Sequence, residues 1–309
     1  MKSSSKVLNK YQEIIGLDNS QFVDFGKKIA IPEFSKNRII NVCKEALSVL
    51  KSQETLLRID ENLTIVGNLN GNLFDLIRLL KISGNQKILF LGNFVSDGGY
   101  PLETATLILS LLALGKCYVI RGPNEFQETN KGFSFYKDIL GMYGTKNLWE
   151  KFNSVFSYLP LAAIVNNSVF CVCGGLSPSV KSIPQISNIK RTVHSCKGNT
   201  LIHDLLFSKP TTSFFQMNQK GNEESVMFSK DDVETFLREN DIKAIVRSSQ
   251  PSKYGVTKQF CGSLFSVSSS CTEKDGITTR CGVVKVDNSI NGFSLPLFIG
   301  PKRTAAKLA

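Results

Sequence analysis

Residues 63–72, LTIVGNLNGN, run as a short apolar strand into a tight glycine turn, and an amphipathic helix follows at once. Gly67 and Gly71 bracket Asn68 and Asn70. In an open α/β sheet such a junction presents side chains beyond the carboxyl end of a strand, where ligands bind. Two further stretches repeat the arrangement, FLGNFVSDGG (90–99) and VIRGPNEF (119–126). Glycine in each lets the backbone turn sharply and approach a neighbour closely. The three loops are therefore expected to converge on one crevice. A fourth glycine loop, CVCGGLSP (171–178), follows a strand-like run in the second half.

Working outward, Ile39, Ile40, Cys43, Leu47 and Leu50 recur at helical intervals and predict a helix over 37–51. A strand (63–66), helix (72–82), strand (87–91), helix (101–114) and strand (117–120) follow, the alternation of βαβ units around a parallel sheet. Two more amphipathic helices are read near 132–142 and 147–158. The second half is richer in strand-like runs, at 168–173, 244–247, 263–268, 282–287 and 293–299. One helix sits among them, DDVETFLREN, with Ser229 placed to cap it and Asp232 three residues on. No Pro/Gly/Ser linker divides the halves, so one domain is expected, two packed sheets with helices outside.

Composition bounds the function. The chain has 309 residues, 42% of them hydrophobic, the level of a folded globular protein. No apolar run reaches the roughly 18 residues of a membrane helix, and the polar start MKSSSK is no secretory signal. Eight scattered cysteines without a C-x-x-C pair point to free thiols in a reducing compartment, cytoplasmic or nuclear. Cys171 and Cys173 are the closest pair and are not read as a metal site. Net charge is +11, from 37 Lys+Arg against 26 Asp+Glu. No nucleic-acid signature accompanies that charge, so a solvated basic surface is the simpler reading and nucleic acid is not the partner the sequence points to. Only two histidines are present, His194 and His203. His203, in LIHDLL, reads as a half-buried helix residue, and His194 as a loop residue.

Beyond the loops, LFLG (89–92), LETATLILSLLAL (102–114), LPLAAIV (159–165), FCVCGGLSPSV (170–180) and HDLLFSKP (203–210) resemble the phosphoprotein phosphatase family of serine/threonine phosphatases, from about residue 7 to about 300. The resemblance implies an α/β (α+β) metallophosphoesterase-like fold, a two-sheet β-sandwich flanked by helices. It places one domain at 7–300, between basic polar tails at 1–6 and 301–309. The family's motifs are GDxHG, GDxVDRG and GNHE, followed by a histidine before a GG pair and another after an arginine. Those residues hold two divalent metals, such as Mn, Fe or Zn, about 3.5–4 Å apart.

At every position that the resemblance assigns to a metal ligand, this sequence carries another residue. Asn68, Asn70, Asn93, Pro123, Cys173 and Ser249 stand there. Asn124 occupies the place of the general-acid histidine and Ser96 that of the aspartate orienting it. Asp97 and Lys220 stand for two phosphate-binding arginines, and Ser270 for an active-site tyrosine. Hard divalent ions want carboxylate oxygens, and zinc and iron want His, Cys or carboxylate. From that inventory no metal cofactor is expected. Asparagine keeps the shape of aspartate without its charge, which suits a frame whose clustered carboxylates would otherwise repel one another. Cys173 lacks the following arginine of a thiolate phosphatase and reads as a quiet thiol. Arg121 and Glu125 match the family, where the resemblance implies that they mainly brace the loop; Arg121 and Lys220 are also candidate anion contacts, opposed by Asp97, which is expected to repel phosphate from the crevice.

The expected function is that of a catalytically inactive phosphatase homologue acting by protein binding, as scaffold or competitor for phosphatase regulatory subunits or their short peptide motifs. Two alternatives stand beside it. One is a serine/threonine phosphatase with residual or unusual metal-dependent activity. The other is a phosphopeptide- or anion-binding module.

Overall fold

A computed structural model gives the fold, described over residues 1–212, 226–248, 250–274, 277–301 and 303. The first half supplies α1 (Ser3–Ile15), α2 (Asn19–Phe22), α3 (Lys36–Lys51), β1 (Leu56–Ile59), β2 (Leu63–Val66), α4 (Leu73–Ser83), β3 (Ile88–Phe90), α5 (Pro101–Ala113), β4 (Cys117–Val119), α6 (Gln127–Asn130), α7 (Ser134–Tyr143) and α8 (Asn147–Phe156). The second half supplies β5 (Ala162–Val165), β6 (Val169–Val172), α9 (Ile183–Ser187), α10 (Thr200–Phe207), β7 (Lys209–Pro210), β8 (Met227–Phe228), α11 (Lys230–Asn240), β9 (Ala244–Arg247), β10 (Val256–Gln259), β11 (Leu264–Val267), β12 (Thr272–Lys274), β13 (Ile277–Thr279), β14 (Gly282–Val286) and β15 (Ile290–Ser294).

Two sheets face each other. One has the order β15-β14-β2-β3-β4, the other β1-β5-β6-β9-β11-β10. Strands β2, β3 and β4 are parallel, as the βαβ alternation predicts, and β14 joins β2 antiparallel. The second sheet is mixed: β5–β6 and β10–β11 are antiparallel, β6–β9 and β9–β11 parallel. Ile65, Leu89 and Ile120 of the first sheet share a buried layer with Cys171, Val246 and Phe265 of the second. Strands buried on both faces need no polar alternation, and LTIV, wholly buried, has little. Helix α5 is buried along its whole length, which explains an apolar sequence with no clear polar side. The outcome is the α/β two-sheet sandwich with helices outside. Among the described residues, no helix is long and apolar enough to cross a membrane.

Helix α1 takes in part of the tail expected at 1–6, and of the tail expected at 301–309 residues 302 and 304–309 lie outside the described residues. Helix α1 begins at Ser3, because Glu45 of α3 accepts the N–H groups of Ser3 (2.8 Å) and Ser4 (2.9 Å) and so satisfies donors that a helix start leaves open. At the other end Arg303 pairs with the buried carboxylate of Glu103 and, at 3.1 Å, with Asp138, and it lies over the Tyr100 ring. The strand expected over 293–299 ends at Ser294. Pro296 cannot donate to a ladder. The chain instead crosses α4, where Arg78 donates to the Pro296 carbonyl at 2.5 Å and Phe298 packs on Phe22 at 5.3 Å.

Removing one partner of a buried ion pair leaves an uncompensated charge, at a cost of roughly 3–5 kcal/mol when both are sealed from water. Arg303 keeps a quarter of its side chain exposed while Glu103 keeps 4%. We therefore expect Arg303→Ala to lose about 2 kcal/mol, below that range. A urea titration measures it. A loss under about 0.5 kcal/mol, the level of a surface pair, would show that the clasp does not hold the C-terminal segment.

Candidate functional site

The loops after β2, β3 and β4 meet where the two sheets come together. A bridge between Asn68 and Ser268 links the sheets at this end. The approach is tight enough to require glycine at Gly67 and Gly92. A Cβ on Gly67 would collide with the Val267 carbonyl, and one on Gly92 (φ +90°) with the backbone of Gly122. Asn70 and Asn93 both sit at φ +53°. Among residues other than glycine, asparagine and aspartate tolerate this left-handed conformation best. The backbone thus gives one reason for these residue types that involves no ligand.

One carboxylate ties the loops together. Glu125 accepts the N–H groups of Asn93 (2.8 Å), Phe94 (2.9 Å), Val95 (3.4 Å) and Gly122 (2.9 Å). Burial pushes its carboxyl up to about 7, against the downward pull of those four donors. Arg121, proposed as an anion contact, is not on the crevice wall. It is buried, donating to the Val193 carbonyl and, at 3.0 Å, to that of Glu125, with its guanidinium 3.6 Å over the Phe126 ring. Its charge braces the loop, and burial lowers its pKa to about 10.

The amides close on one another. Asn93 Nδ2 donates to Asn68 Oδ1 (3.1 Å) and approaches the Cys173 sulfur at 3.5 Å. Asn93 Oδ1 accepts the Asn124 N–H at 3.0 Å. Ser248 Oγ accepts the Asn68 N–H (2.8 Å) and donates back to Asn68 Oδ1 (2.5 Å). Burial pushes the Cys173 thiol well above its ordinary pKa, an inert rather than nucleophilic setting.

A crevice of about 890 Å³ opens over this network. Asn68, Asn70, Asn93, Pro123 and Asn124 line one side, and Glu128, Lys197, His203, Phe207 and Lys209 lie among the other lining residues. Ser96, Asp97 and Ser270 line a neighbouring cavity of about 390 Å³, which shares Asn70 with the crevice. Asp97 was expected to place negative charge in the crevice. Its carboxylate instead accepts the Ser134 N–H at 2.7 Å, at the start of α7, where a helix dipole favours an anion. Ser96 gives its carbonyl to Ser134 Oγ at 2.9 Å. Ser270 Oγ is buried, accepting from Asn72 Nδ2 at 3.3 Å. Lys220 and Ser249 lie outside the described residues.

Lys197, His203 and Lys209 were not read as site residues, because they come from the second half of the chain and no loop pattern marks them. The usable signal was HDLLFSKP itself, which carries two of them. His203 stacks on Phe207 (4.7 Å between centroids) and pairs through Nδ1 with Asp204 at 3.2 Å.

The profile of the calcineurin-like phosphoesterases matches residues 62–248. The serine/threonine-protein phosphatase 4 catalytic subunit of Saccharomyces cerevisiae is 32% identical over 271 residues, covering 84% of this chain and 85% of its own length. Its counterpart in Kluyveromyces lactis is 33% identical over 265 residues, covering 82% and 84%. Among solved structures, a protein serine/threonine phosphatase from Saccharomyces cerevisiae with similarity to human phosphatase PP5 superposes with a TM-score of 0.78 at 21% identity, over 94% of this chain and all of that one. A cold-active protein tyrosine phosphatase shares the fold more loosely, with a TM-score of 0.56 at 13% identity, over 81% and 83%.

This kinship corrects the expectation of no cofactor. The chain matches, across the loops in question, a family whose phosphatases depend on divalent metal ions, so the absence of a cofactor does not follow from its place in that family. The donor set is a separate matter. The positions supply three amides, a thiol and a proline, and the Asn93 NH₂ group, a donor, points at Asn68 and Cys173. Among the described residues no three His, Cys, Asp or Glu side chains stand together as an ion would require. The described residues do not fit the family's metal pair. By its profile match, its relatives and its fold, the chain belongs to the calcineurin-like phosphoesterases, within the phosphoprotein phosphatase family of serine/threonine phosphatases.

Proposed function

We propose that this chain works by binding proteins through its phosphatase fold, without turning over phosphate. The observation that carries this reading is the closed amide network: Asn93 spends both ends of its side chain on Asn68, Cys173 and Asn124. At the place of a general acid, an amide has no proton to deliver to a leaving oxygen near neutral pH. Regulatory subunits, or short extended segments of them, are the proposed partners; the relatives' name "catalytic subunit" supports an assembly of that kind.

The comparisons favour the second reading better, namely hydrolysis of phosphoserine and phosphothreonine esters. The two yeast relatives are catalytic subunits of a serine/threonine phosphatase, in a metal-dependent family. Turnover of a phosphopeptide with added Mn²⁺, set beside a phosphatase 4 catalytic subunit, decides between the two. We expect a rate at least about 10³-fold lower, since loss of general-acid catalysis alone accounts for roughly 10²–10⁴. A rate within tenfold of the relative would establish hydrolysis and end the binding reading.

The network itself is testable. Asn93→Asp puts an acceptor where Asn93 Nδ2 now donates to Asn68 Oδ1 at 3.1 Å, in a buried position. We expect a loss of about 1–3 kcal/mol at neutral pH, the cost of a mispaired buried polar group. Burial raises a carboxyl's pKa in the folded state, so the penalty is present above that pKa and fades below it, where the protonated acid donates again. Denaturant titrations of variant and wild type at pH 5 and pH 7.5 measure the difference. A variant as stable as wild type at both would mean that the amide bonds do not hold the site closed.

A further inference from the structure

Each sheet ends in an exposed strand, β15 in the first and β10 in the second. The two strands meet, and a Cβ on Gly292 of β15 would collide with Val256 of β10. Lys258 lies two residues along β10 from Val256 and shares its face. In β14, Val284 and Val286 belong to the layer between the sheets, so Lys285 takes the opposite face. Phe293 of β15 stands directly across from Val283 and shares that opposite face. The Lys285 ammonium lies 5.9 Å from the centre of the Phe293 ring. At the end of β15, Ser294 Oγ donates to the Tyr254 carbonyl, and the Arg280 N–H donates to the Lys253 carbonyl at 3.2 Å. The Lys253 ammonium lies 5.6 Å from the centre of the Tyr254 ring. Three stretches far apart in the chain thus bring four cations and two aromatic rings to one edge of the sandwich, which is why no linear motif marks it.

Both rings are open to solvent, Tyr254 at 63% and Phe293 at 49%. Lys253, Lys258 and Arg280 are exposed and Lys285 is half-buried. Among the described residues none of the four cations is in an ion pair. Asp287, the carboxylate closest along the hairpin, accepts the Ser289 N–H at 2.8 Å and the Ser289 hydroxyl at 2.9 Å. A lysine beside an exposed ring is held only weakly by it, so it is free to exchange the ring for a phosphate. The rings decide between anionic partners. An acidic protein segment answers the cations alone, whereas each unpaired nucleotide brings a phosphate and a flat base together. A duplex keeps its bases stacked on one another. We propose that this edge binds a single-stranded nucleic acid, with bases stacked on Tyr254 and Phe293 and phosphates held by Lys253, Lys258, Arg280 and Lys285. The site lies apart from the crevice and stands whichever reading of the crevice holds.

The test uses the full chain and a fluorescent oligothymidylate, read by anisotropy over a series of salt concentrations. Four phosphate contacts predict that log K falls with log salt at a slope of about −3, about 0.7 for each phosphate held. Arg280→Gln and Lys285→Gln should each make the slope shallower by about 0.7. Tyr254→Ala and Phe293→Ala should each weaken binding at least about fivefold, the scale of one base stacked on a ring. Tyr254→Trp should bind at least as tightly as wild type, a result that misfolding cannot mimic. Lys44→Gln removes the same charge from exposed surface on α3 and should leave the affinity unchanged. An abasic strand of equal length should bind more weakly than oligothymidylate and be indifferent to both ring substitutions. Absence of binding, equal affinity for the abasic strand, ring variants that bind like wild type, or a loss in Lys44→Gln as large as that in Lys285→Gln would overturn the proposal. Poly-glutamate binding as tightly as oligothymidylate would also overturn it and assign the edge to acidic protein segments.

Discussion

The crevice depends on the Glu125 carboxylate. Four backbone N–H groups from two loops end on it, three from the loop after β3 and one from the loop after β4. Each such donor left unpaired in a buried site costs about 1–3 kcal/mol. An exposed pair such as Lys28–Asp24, with most of the lysine in solvent, contributes about 0–1 kcal/mol. The bonds to Glu125 fix the left-handed turn at Asn93, and that turn aims the Asn93 side chain into the network with Asn68 and Asn124. Arg121 supplies a positive charge within the same loop while its donors hold the carbonyls of Val193 and Glu125. The frame is therefore set by backbone and buried ions, independently of what the crevice wall carries.

That independence explains the asparagines. Carboxylates at both 68 and 93, with oxygens 3.1 Å apart, would repel by about 5 kcal/mol at an effective dielectric near 20. Amides at the same positions turn the repulsion into a donor–acceptor pair without moving the backbone. Asparagine also meets the left-handed demand at 93. The Asn68 and Asn93 side chains answer a backbone constraint and an electrostatic one together, and the result is a pair that satisfies itself.

Much of the architecture was legible in the sequence because its cause is local. The strands LTIV and ILF and the buried helix α5 follow from apolar runs and their spacing, and the glycine loops follow from steric demands that only glycine meets. The site was half legible. The strand-end loops named Asn68, Asn93 and Asn124, but the direction of Asp97 depends on α7 beginning at Ser134, a tertiary fact. Arg121 braces its loop as the resemblance implies, and its second reading as an anion contact fails because charge is visible in a sequence and burial against Phe126 is not. Lys197 and Lys209 reach the crevice through a long excursion whose path no periodicity encodes. The run at 293–299 misled for a related reason. Its apolar residues serve packing on Phe22 and Phe74 rather than a ladder.

The fold and the chemistry of the site answer to different physical demands. A fold match reports on the core layer between the sheets and the helices around it, which must be kept for the protein to stand at all. Side chains at strand ends lie outside that requirement, because Glu125 and Arg247 hold the loops whichever groups project from them. Arg247 makes the point for the second sheet. Fully buried, it donates to the carbonyls of Gly174 and, at 3.3 Å, Ser208, joining the loop after β6 to the segment that carries Lys209. The backbone just before Lys209 is thus held by a buried arginine of the frame. A frame held in this way can carry hydrolysis or binding with little change in backbone, and the residue types at the strand ends, rather than the fold, separate the two.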